Sequence, residues 1–508
     1  AVVRIHEGPA FTVGSIAISG NTVFDSTALI ATLPLAAGHP FVPSATENAL
    51  STIRNQYWTR GYNEVRVDYE LTERSGAGEV DVAFTVMEGR QSVIADISIA
   101  GNERVSTHLV RDQIAVSAED PLDLNAVAQW RRQLYGTGAF SAVDITRREV
   151  DEPGSDAAKQ VHLDVDLREV PPFHLRYGAS YDTERGIGVI LDATNRNSLG
   201  RARELGIHSR YDGQLRDVRL YINQPALAQL SETTLSLYFR EELNPPTELT
   251  DPFDIRRKGA SIQQQRRLLN NYVWTYGYKY ERAHTLTPTP MGAIDEETTV
   301  SPLTSTVTRE TRDVALDASR GAFMSQALSF SPSWLGSEQP FMKYFGQYFH
   351  YFPLQAQRQN PFTGQIIRSR LVFASGIRLG LAWGLDGPVP RTERFFAGGS
   401  ATLRGFEQNT VGPITPERFA LGGEALLVLN NELRMPLIGR LDGVVFTDIG
   451  NVFSQVRDLS FGDLRQSVGF GLRLRTTWLL LRGDYGVVLD QRPGEQRGQF
   501  YISVGQAF

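Results

Sequence analysis

Val468-Gly469-Phe470-Gly471-Leu472-Arg473-Leu474-Arg475 alternates without a break. In an extended chain successive side chains point to opposite faces. Val468, Phe470, Leu472 and Leu474 therefore share one side, and two glycines with two arginines share the other. A strand of a water-soluble sandwich would turn its apolar side inward and its arginines to water. Here small and charged residues occupy one face together, which suits a narrow polar lumen inside an apolar exterior. The texture recurs where Arg370, Ala374, Gly376 and Arg378 are set against Leu371, Phe373, Ile377 and Leu379.

Outward from that stretch, alternating segments of about ten residues run from Pro172 to the end, separated by Gly, Asn, Pro and Asp turns. Sixteen strands are expected, beginning near residues 173, 186, 202, 214, 231, 256, 271, 303, 323, 342, 367, 421, 441, 467, 478 and 499. An even count is what such a barrel requires. The 18 Tyr and 26 Phe crowd in stretches such as 341–352, as interfacial girdles would. In the last segment Phe500, Ile502, Val504 and Phe508 share parity, with Gln506 breaking the apolar face.

Composition agrees once strands replace helices. Mean hydropathy is -0.24. The densest apolar runs, 425–429 and 478–481, are about five residues, against roughly 20 for a spanning helix. With no Cys, disulfides, thiolate metal sites and cysteine nucleophiles are excluded. The eight His are scattered, and there is no HExxH, GxSxG or phosphate-loop pattern. No catalytic set, metal site or cofactor is expected. Residues 1–172 carry 14 Arg and Lys against 24 Asp and Glu, and the remainder 37 against 33. A boundary near 172 follows, and neither half supplies the basic patch a nucleic acid would need.

The acidic region is a repeat. Ile16-Ala-Ile-Ser-Gly-Asn-Thr-Val returns as Ile97-Ser-Ile-Ala-Gly-Asn-Glu-Arg-Val, so Gly20-Asn21 aligns with Gly101-Asn102 at a spacing of 81. Each copy reads as a strand, a Gly-Asn turn, a helix (26–33; 106–114), a second helix (44–60; 125–135) and two strands (64–71 with 80–87; 142–150 with 160–168). Gly61 and Gly136 or Gly138 stand where a helix end needs positive φ. The β-α-α-β-β order, the Gly-Asn turn and Gly61-Tyr62 resemble the polypeptide-transport-associated (POTRA) domain. Glu7-Gly8 precedes Glu88-Gly89 by the same 81 residues, so residues 1–8 read as the remnant of an earlier repeat, with at least one further unit expected upstream. The expected domains are that remnant, α+β units at 9–90 and 91–171, and an all-β 16-stranded antiparallel transmembrane β-barrel at 172–508.

The most specific stretch is Arg394-Phe-Phe-Ala-Gly-Gly-Ser-Ala-Thr-Leu-Arg404-Gly405-Phe406. It is followed in order by Gly422-Gly423, Glu432-Leu-Arg434-Met-Pro436, Phe446-Thr-Asp448-Ile-Gly450 and Gly469-Phe-Gly-Leu-Arg473, and preceded by Asn197-Ser-Leu-Gly-Arg201 and Thr311-Arg-Asp313 through Gly321. With the repeats and the barrel, this set resembles the BamA/TamA superfamily, whose long sixth extracellular loop folds into the lumen with a (V/I)RG(F/Y) tip. Leu403 is a conservative departure at its first position.

That resemblance implies a lumen-loop lock of Arg404, Gly405, Phe406, Glu432, Asp448 and Gly450. A guanidinium binds carboxylates bidentately, glycine permits a tight turn, and Phe406 would fill adjacent apolar space. Strand parity puts Asp448 with Asp442 and Phe446, so a bulge is expected to reconcile an aromatic with a polar inner face. The resemblance also implies a lateral gate between the first and last barrel strands, at Phe173, Tyr177, Tyr181, Phe500, Gly505 and Phe508. It implies a bacterial outer-membrane protein with periplasmic repeats, a TamA-type factor that assembles β-barrel or autotransporter clients. Its partners would be unfolded outer-membrane proteins, a TamB-like periplasmic protein and outer-membrane lipid. The alternatives are a BamA-type general assembly core and a two-partner secretion translocator.

Overall fold

The computed structural model describes the chain apart from residues 1–9, 75–77, 151–157, 199, 226–230, 270, 290–291, 316, 356–357, 360–365, 368, 477–479 and 505–508. The remnant at 1–8 therefore lies outside the described residues. Contacts divide the chain into two compact units, with the repeats in one and nearly all of 172–508 in the other.

The first repeat comprises β1 (Thr12–Ser19), α1 (Ser26–Ala31), α2 (Pro43–Thr59), β2 (Arg66–Arg74) and β3 (Glu79–Met87); the second comprises β4 (Ser92–Ala100), α3 (Thr107–Ile114), α4 (Leu124–Gly136), β5 (Phe140–Val150) and β6 (Lys159–Glu169). In each, the last strand lies at the centre of the sheet, parallel to the first and antiparallel to the other. The helices bury one stripe against that sheet: Leu29, Ala49, Ile53 and Tyr57 on Val82, Phe84 and Val86, and Val110, Ile114 and Leu134 on Val161, Leu163 and Val165.

The Gly-Asn turn has a physical cause. Gly20 and Gly101 hold φ of 80° and 82°, and a Cβ would strike the carbonyl oxygens of Val86 and Leu167. Asn21 Nδ2 donates to Phe24 O at 2.8 Å and Ser26 Oγ at 2.9 Å; Asn102 Nδ2 donates to Val105 O and Thr107 Oγ1, both at 3.0 Å. From the end of the central strand, Glu88 accepts the amides of Thr22 (2.6 Å) and Val23 (2.8 Å), and Glu169 those of Arg104 (2.9 Å) and Val105 (2.7 Å). Burial works against the Glu88 charge, but bonds from Thr22, Val23 and Tyr57 outweigh it and hold the carboxyl below its ordinary value.

The barrel runs β7 (Phe173–Asp182), β8 (Gly186–Ser198), β9 (Arg203–Tyr211), β10 (Leu215–Gln224), β11 (Glu232–Asn244), β12 (Phe253–Arg267), β13 (Tyr272–Thr289), β14 (Gly292–Val300), β15 (Leu303–Glu310), β16 (Gly321–Ser331) and β17 (Phe341–Pro353). A two-residue ladder, β18 (Arg358–Gln359) with β19 (Ile366–Ile367), stands apart from the barrel sheet. The wall resumes with β20 (Val372–Gly384), β21 (Ala425–Ile438), β22 (Leu441–Phe453), β23 (Arg465–Arg475), β24 (Leu480–Val488) and β25 (Gly498–Val504), and closes on β7. β14 and β15 pair with successive halves of β13, so they fill one strand position, broken at Ser301-Pro302. The result is the expected closed, antiparallel, 16-stranded barrel. β14 itself was not foreseen, because Asp295-Glu296-Glu297 erases the alternation that marks a strand.

The faces follow the alternation. Phe470 and Leu472 are 62% and 49% exposed on the outside, whereas Arg473 is 6% exposed on the inside. The expected bulge near Asp448 is absent: β22 pairs with β23 in unbroken register from Leu441 to Gly450. Asp442, Val444, Phe446 and Asp448 all face inward and are buried, and the lumen accepts the aromatic ring for a reason the site makes plain.

Candidate functional site

Residues 385–424 connect β20 to β21 and fold inward. Val389, Phe395, Ala397, Leu403, Phe406 and Val411 pack with Ala382, Leu426, Val428, Val452 and Val488 of the wall. Isolated bridges Phe395↔Gly423, Ala397↔Val411 and Ile414↔Ala420 hold the loop to itself. At its tip Gly405 has φ of 97°, and a Cβ there would press on Gly486 and Ser467 at 3.2 Å. Glycine alone meets both demands.

Arg404 is 1% exposed, and all three of its guanidinium nitrogens donate to carboxylates. Its Nε and Nη2 donate to Asp448 Oδ2 and Oδ1 at 2.6 and 2.8 Å, Nη1 donates to Glu432 Oε1 at 2.6 Å, and its backbone amide donates to Asp448 Oδ2 at 3.1 Å. The Phe446 ring centroid lies 3.5 Å from the guanidinium carbon. An inward aromatic between two inward carboxylates thus forms the floor of a cation site. Gly450 shares that strand face, and a Cβ would come within 3.0 Å of the Val428 Cα. Phe406, also buried, lies under the Arg465 guanidinium at 4.8 Å.

Asn430 donates to Asp448 Oδ1 and to Thr402 O, each at 2.8 Å. Arg434 Nε donates to Glu432 Oε2 at 3.0 Å, and Asp484 lies between Arg473, Arg482 and Arg404. Three carboxylates and four arginines interlock where solvent is nearly absent, and such charges persist only when paired and hydrogen-bonded. Sequence reasoning missed Asp484 and Arg482, although Arg482-Gly-Asp484 has the alternation that marks an inner face.

The loop is also tied at two places near the barrel seam. Tyr501 on β25 accepts the Gly405 amide at 3.1 Å and donates to Phe406 O at 2.8 Å. Glu184, in the turn between β7 and β8, accepts the Ser400 amide at 3.2 Å and the Ser400 hydroxyl. β25 and β7 themselves pair at two positions among the described residues, Ser503↔Asp182 and Val504↔Tyr181, with Thr183 N donating to Ile502 O at 3.0 Å. β7 and β8 pair at ten. Of the expected gate residues, Tyr181 is in that short ladder. Phe500 stands opposite Tyr485 of β24, Phe173 and Tyr177 are outward and exposed, and Gly505 and Phe508 lie outside the described residues.

A transmembrane barrel whose extracellular loop is bound inside its own lumen by a buried arginine, following tandem α+β repeats, defines a class of outer-membrane machinery. Residues 197–508 match the family model of the Omp85 superfamily domain, and 11–89 and 92–170 each match that of the surface antigen variable number repeat, the POTRA unit. The chain belongs to the Omp85 superfamily. It is an outer-membrane protein with its POTRA units in the periplasm. It is 22% identical over 99% of its length to the outer membrane protein assembly factor BamA of Nitratidesulfovibrio vulgaris, and spans 63% of that relative. Its fold resembles BamA from Haemophilus ducreyi lacking POTRA domains 1-3, with a TM-score of 0.71 at 19% identity over 98% of this chain and 100% of that one. It also resembles CdiB from Escherichia coli, with a TM-score of 0.53 at 15% identity over 98% and 91%.

Proposed function

We propose that this protein inserts and translocates outer-membrane proteins as a TamA-type factor. POTRA edge strands such as β2 receive extended segments by main-chain hydrogen bonding, and the client's strands then enter the membrane at the β25–β7 seam. A spanning strand cannot expose bare amides to lipid, and a seam held by two pairs among the described residues is the cheapest place in the wall for a client to find partners. That short ladder is the observation that carries the reading. Arg404, Gly405, Phe406, Glu432, Asp448 and Gly450 act as a lock, fixing the loop while the seam moves, and Phe173, Tyr177, Tyr181, Phe500, Gly505 and Phe508 flank the gate. A TamB-like periplasmic protein and outer-membrane lipid complete the partners, and the chemistry is binding, with no catalytic step. The fold shared with CdiB favours as a second reading a translocator that exports one polypeptide through the lumen.

Two experiments test this. An Asp182→Cys/Ser503→Cys pair closes the seam under oxidation; client insertion should stop and return on reduction, and full activity with the seam closed refutes lateral entry. A census of outer-membrane proteins after depletion separates the roles: selective loss is expected, broad loss marks a BamA-type core, and loss of one secreted protein marks the translocator.

A further inference from the structure

The outer face of the barrel carries a polar row where lipid should be. Register places His350 of β17 beside Ser375 of β20, Ser375 beside Asn431 of β21, and Asn431 beside Thr447 of β22. All four have outward parity, because their chain neighbours Phe349, Ala374, Asn430, Glu432, Phe446 and Asp448 are buried inside. The row is not at the edge of the apolar band. On its periplasmic side runs Phe352, Phe373, Leu433 and Val445, and on the other side Tyr348, Ile377, Leu429 and Ile449. Phe352, Ile377 and Val445 are 44%, 41% and 53% exposed to the surroundings. With strands about 4.8 Å apart, the row is roughly 14 Å long.

Three of these groups find local bonds: Thr447 Oγ1 donates to Ser467 O at 3.2 Å, Tyr348 and His350 share one at 2.8 Å, and Ser375 Oγ donates to Asn431 Oδ1 at 2.8 Å. That leaves the other end of the Asn431 amide without a partner among the described residues. Exchanging its oxygen and nitrogen leaves one end bare all the same. Acyl chains offer neither donor nor acceptor.

We infer that the β17–β22 face is a docking surface for a second copy of this chain, paired through Asn431 and its mate about a two-fold axis along the membrane normal. Primary amides are self-complementary, each supplying a donor and an acceptor. A two-fold interface is isologous, so the mate's row arrives at the same membrane depth without any further matching. The flanking exposed Phe352, Ile377 and Val445 supply apolar contact on both sides. β22 and β25 are separated by β23 and β24, so the pairing surface does not include the seam.

The chain has no cysteine, so Asn431→Cys introduces a single one. Oxidised in native outer-membrane vesicles, with only the heat-modifiable folded band counted, it should yield a product at twice the 56.5-kDa chain mass. Leu220→Cys is the control, on exposed β10 eight strand positions away, and should yield little. As a second readout, a Ser375→Cys reporter, two strand spacings or about 10 Å from its mate and so bridged by a bismaleimide of that reach, should lose roughly tenfold of its dimer product when Asn431→Leu is added, within the range for polar pairs in membranes. Equal products from Asn431→Cys and Leu220→Cys, a product of another mass, or a Ser375→Cys yield indifferent to Asn431→Leu would each overturn the inference.

Discussion

The guanidinium of Arg404 rests on the Phe446 ring, 3.5 Å from its centroid, while both oxygens of Asp448 grip its edge. The loop tip is therefore recognised on its face and its rim at once by one strand. A guanidinium is suited to that double contact, being planar, charged and weakly hydrated.

Removing the arginine should be severe. Arg404→Ala leaves Glu432 and Asp448 as buried charges without their main partner, at a cost of about 3–5 kcal/mol. Folded, heat-modifiable barrel should fall sharply. Arg404→Lys should rescue little, since an ammonium cannot make the fork. Wild-type yield from Arg404→Ala would remove the lock from the account.

Phe446→Leu keeps the ion pairs and removes the aromatic floor. A desolvated cation–π contact is worth about 2 kcal/mol, so the urea midpoint of the barrel should drop, but by less than in Arg404→Ala. An unchanged midpoint would mean that the ring is only filling space.

Tyr501→Phe deletes one hydroxyl and strands two backbone groups, the Gly405 amide and the Phe406 carbonyl. Leaving buried groups unpaired costs about 1–3 kcal/mol. The barrel should still fold, with hydrogen exchange at Gly405 accelerated. Undiminished protection there would show that the loop does not depend on β25.

In the first POTRA unit, Glu88→Gln should weaken the turn clamp by about 1.5–3 kcal/mol, the scale of hydrogen bonds to a charged group. The clamp also gives a pH signature. The folded carboxyl lies below its ordinary value, so its contribution is complete above the usual glutamate range, near about 4.3, and is lost as pH falls through the lower folded value. Exchange at Thr22 and Val23 should rise over that window in wild type and be elevated throughout in Glu88→Gln.

Gly101→Ala forces a side chain into φ of 82° and against the Leu167 carbonyl, at about 1–3 kcal/mol. Gly136→Ala, at the end of α4 with nothing within 4 Å, should be neutral or stabilising by up to about 1 kcal/mol. The unfolding midpoints of the two variants should move apart, and equal midpoints would contradict the strain argument.

Alternation sufficed for the barrel, because a side-chain period of two survives in any strand with one face to lipid. It failed at β14, where Asp295, Glu296 and Glu297 stand in a row, and it set the start of β20 at 367 rather than Val372, because Ile366-Ile367, which belong to the separate β18–β19 ladder, read as its beginning. The repeat was legible in Gly20-Asn21 and Gly101-Asn102, whereas Glu88 and Glu169, which complete the same turn, sit 64 to 66 residues away in the chain and carry no local signal.

The sequence by itself determined the two-unit plan, the strand count and the motif that marks Arg404, since these are properties of period and order along the chain. Only the tertiary structure decided that Phe446 needs no bulge to face the lumen, that Asp484 and Tyr501 join the loop tip, and that Asn431 lies in a polar row facing lipid. Those facts depend on which strands stand side by side and in what register. Closure of the sheet sets both, and no local pattern of residues encodes them.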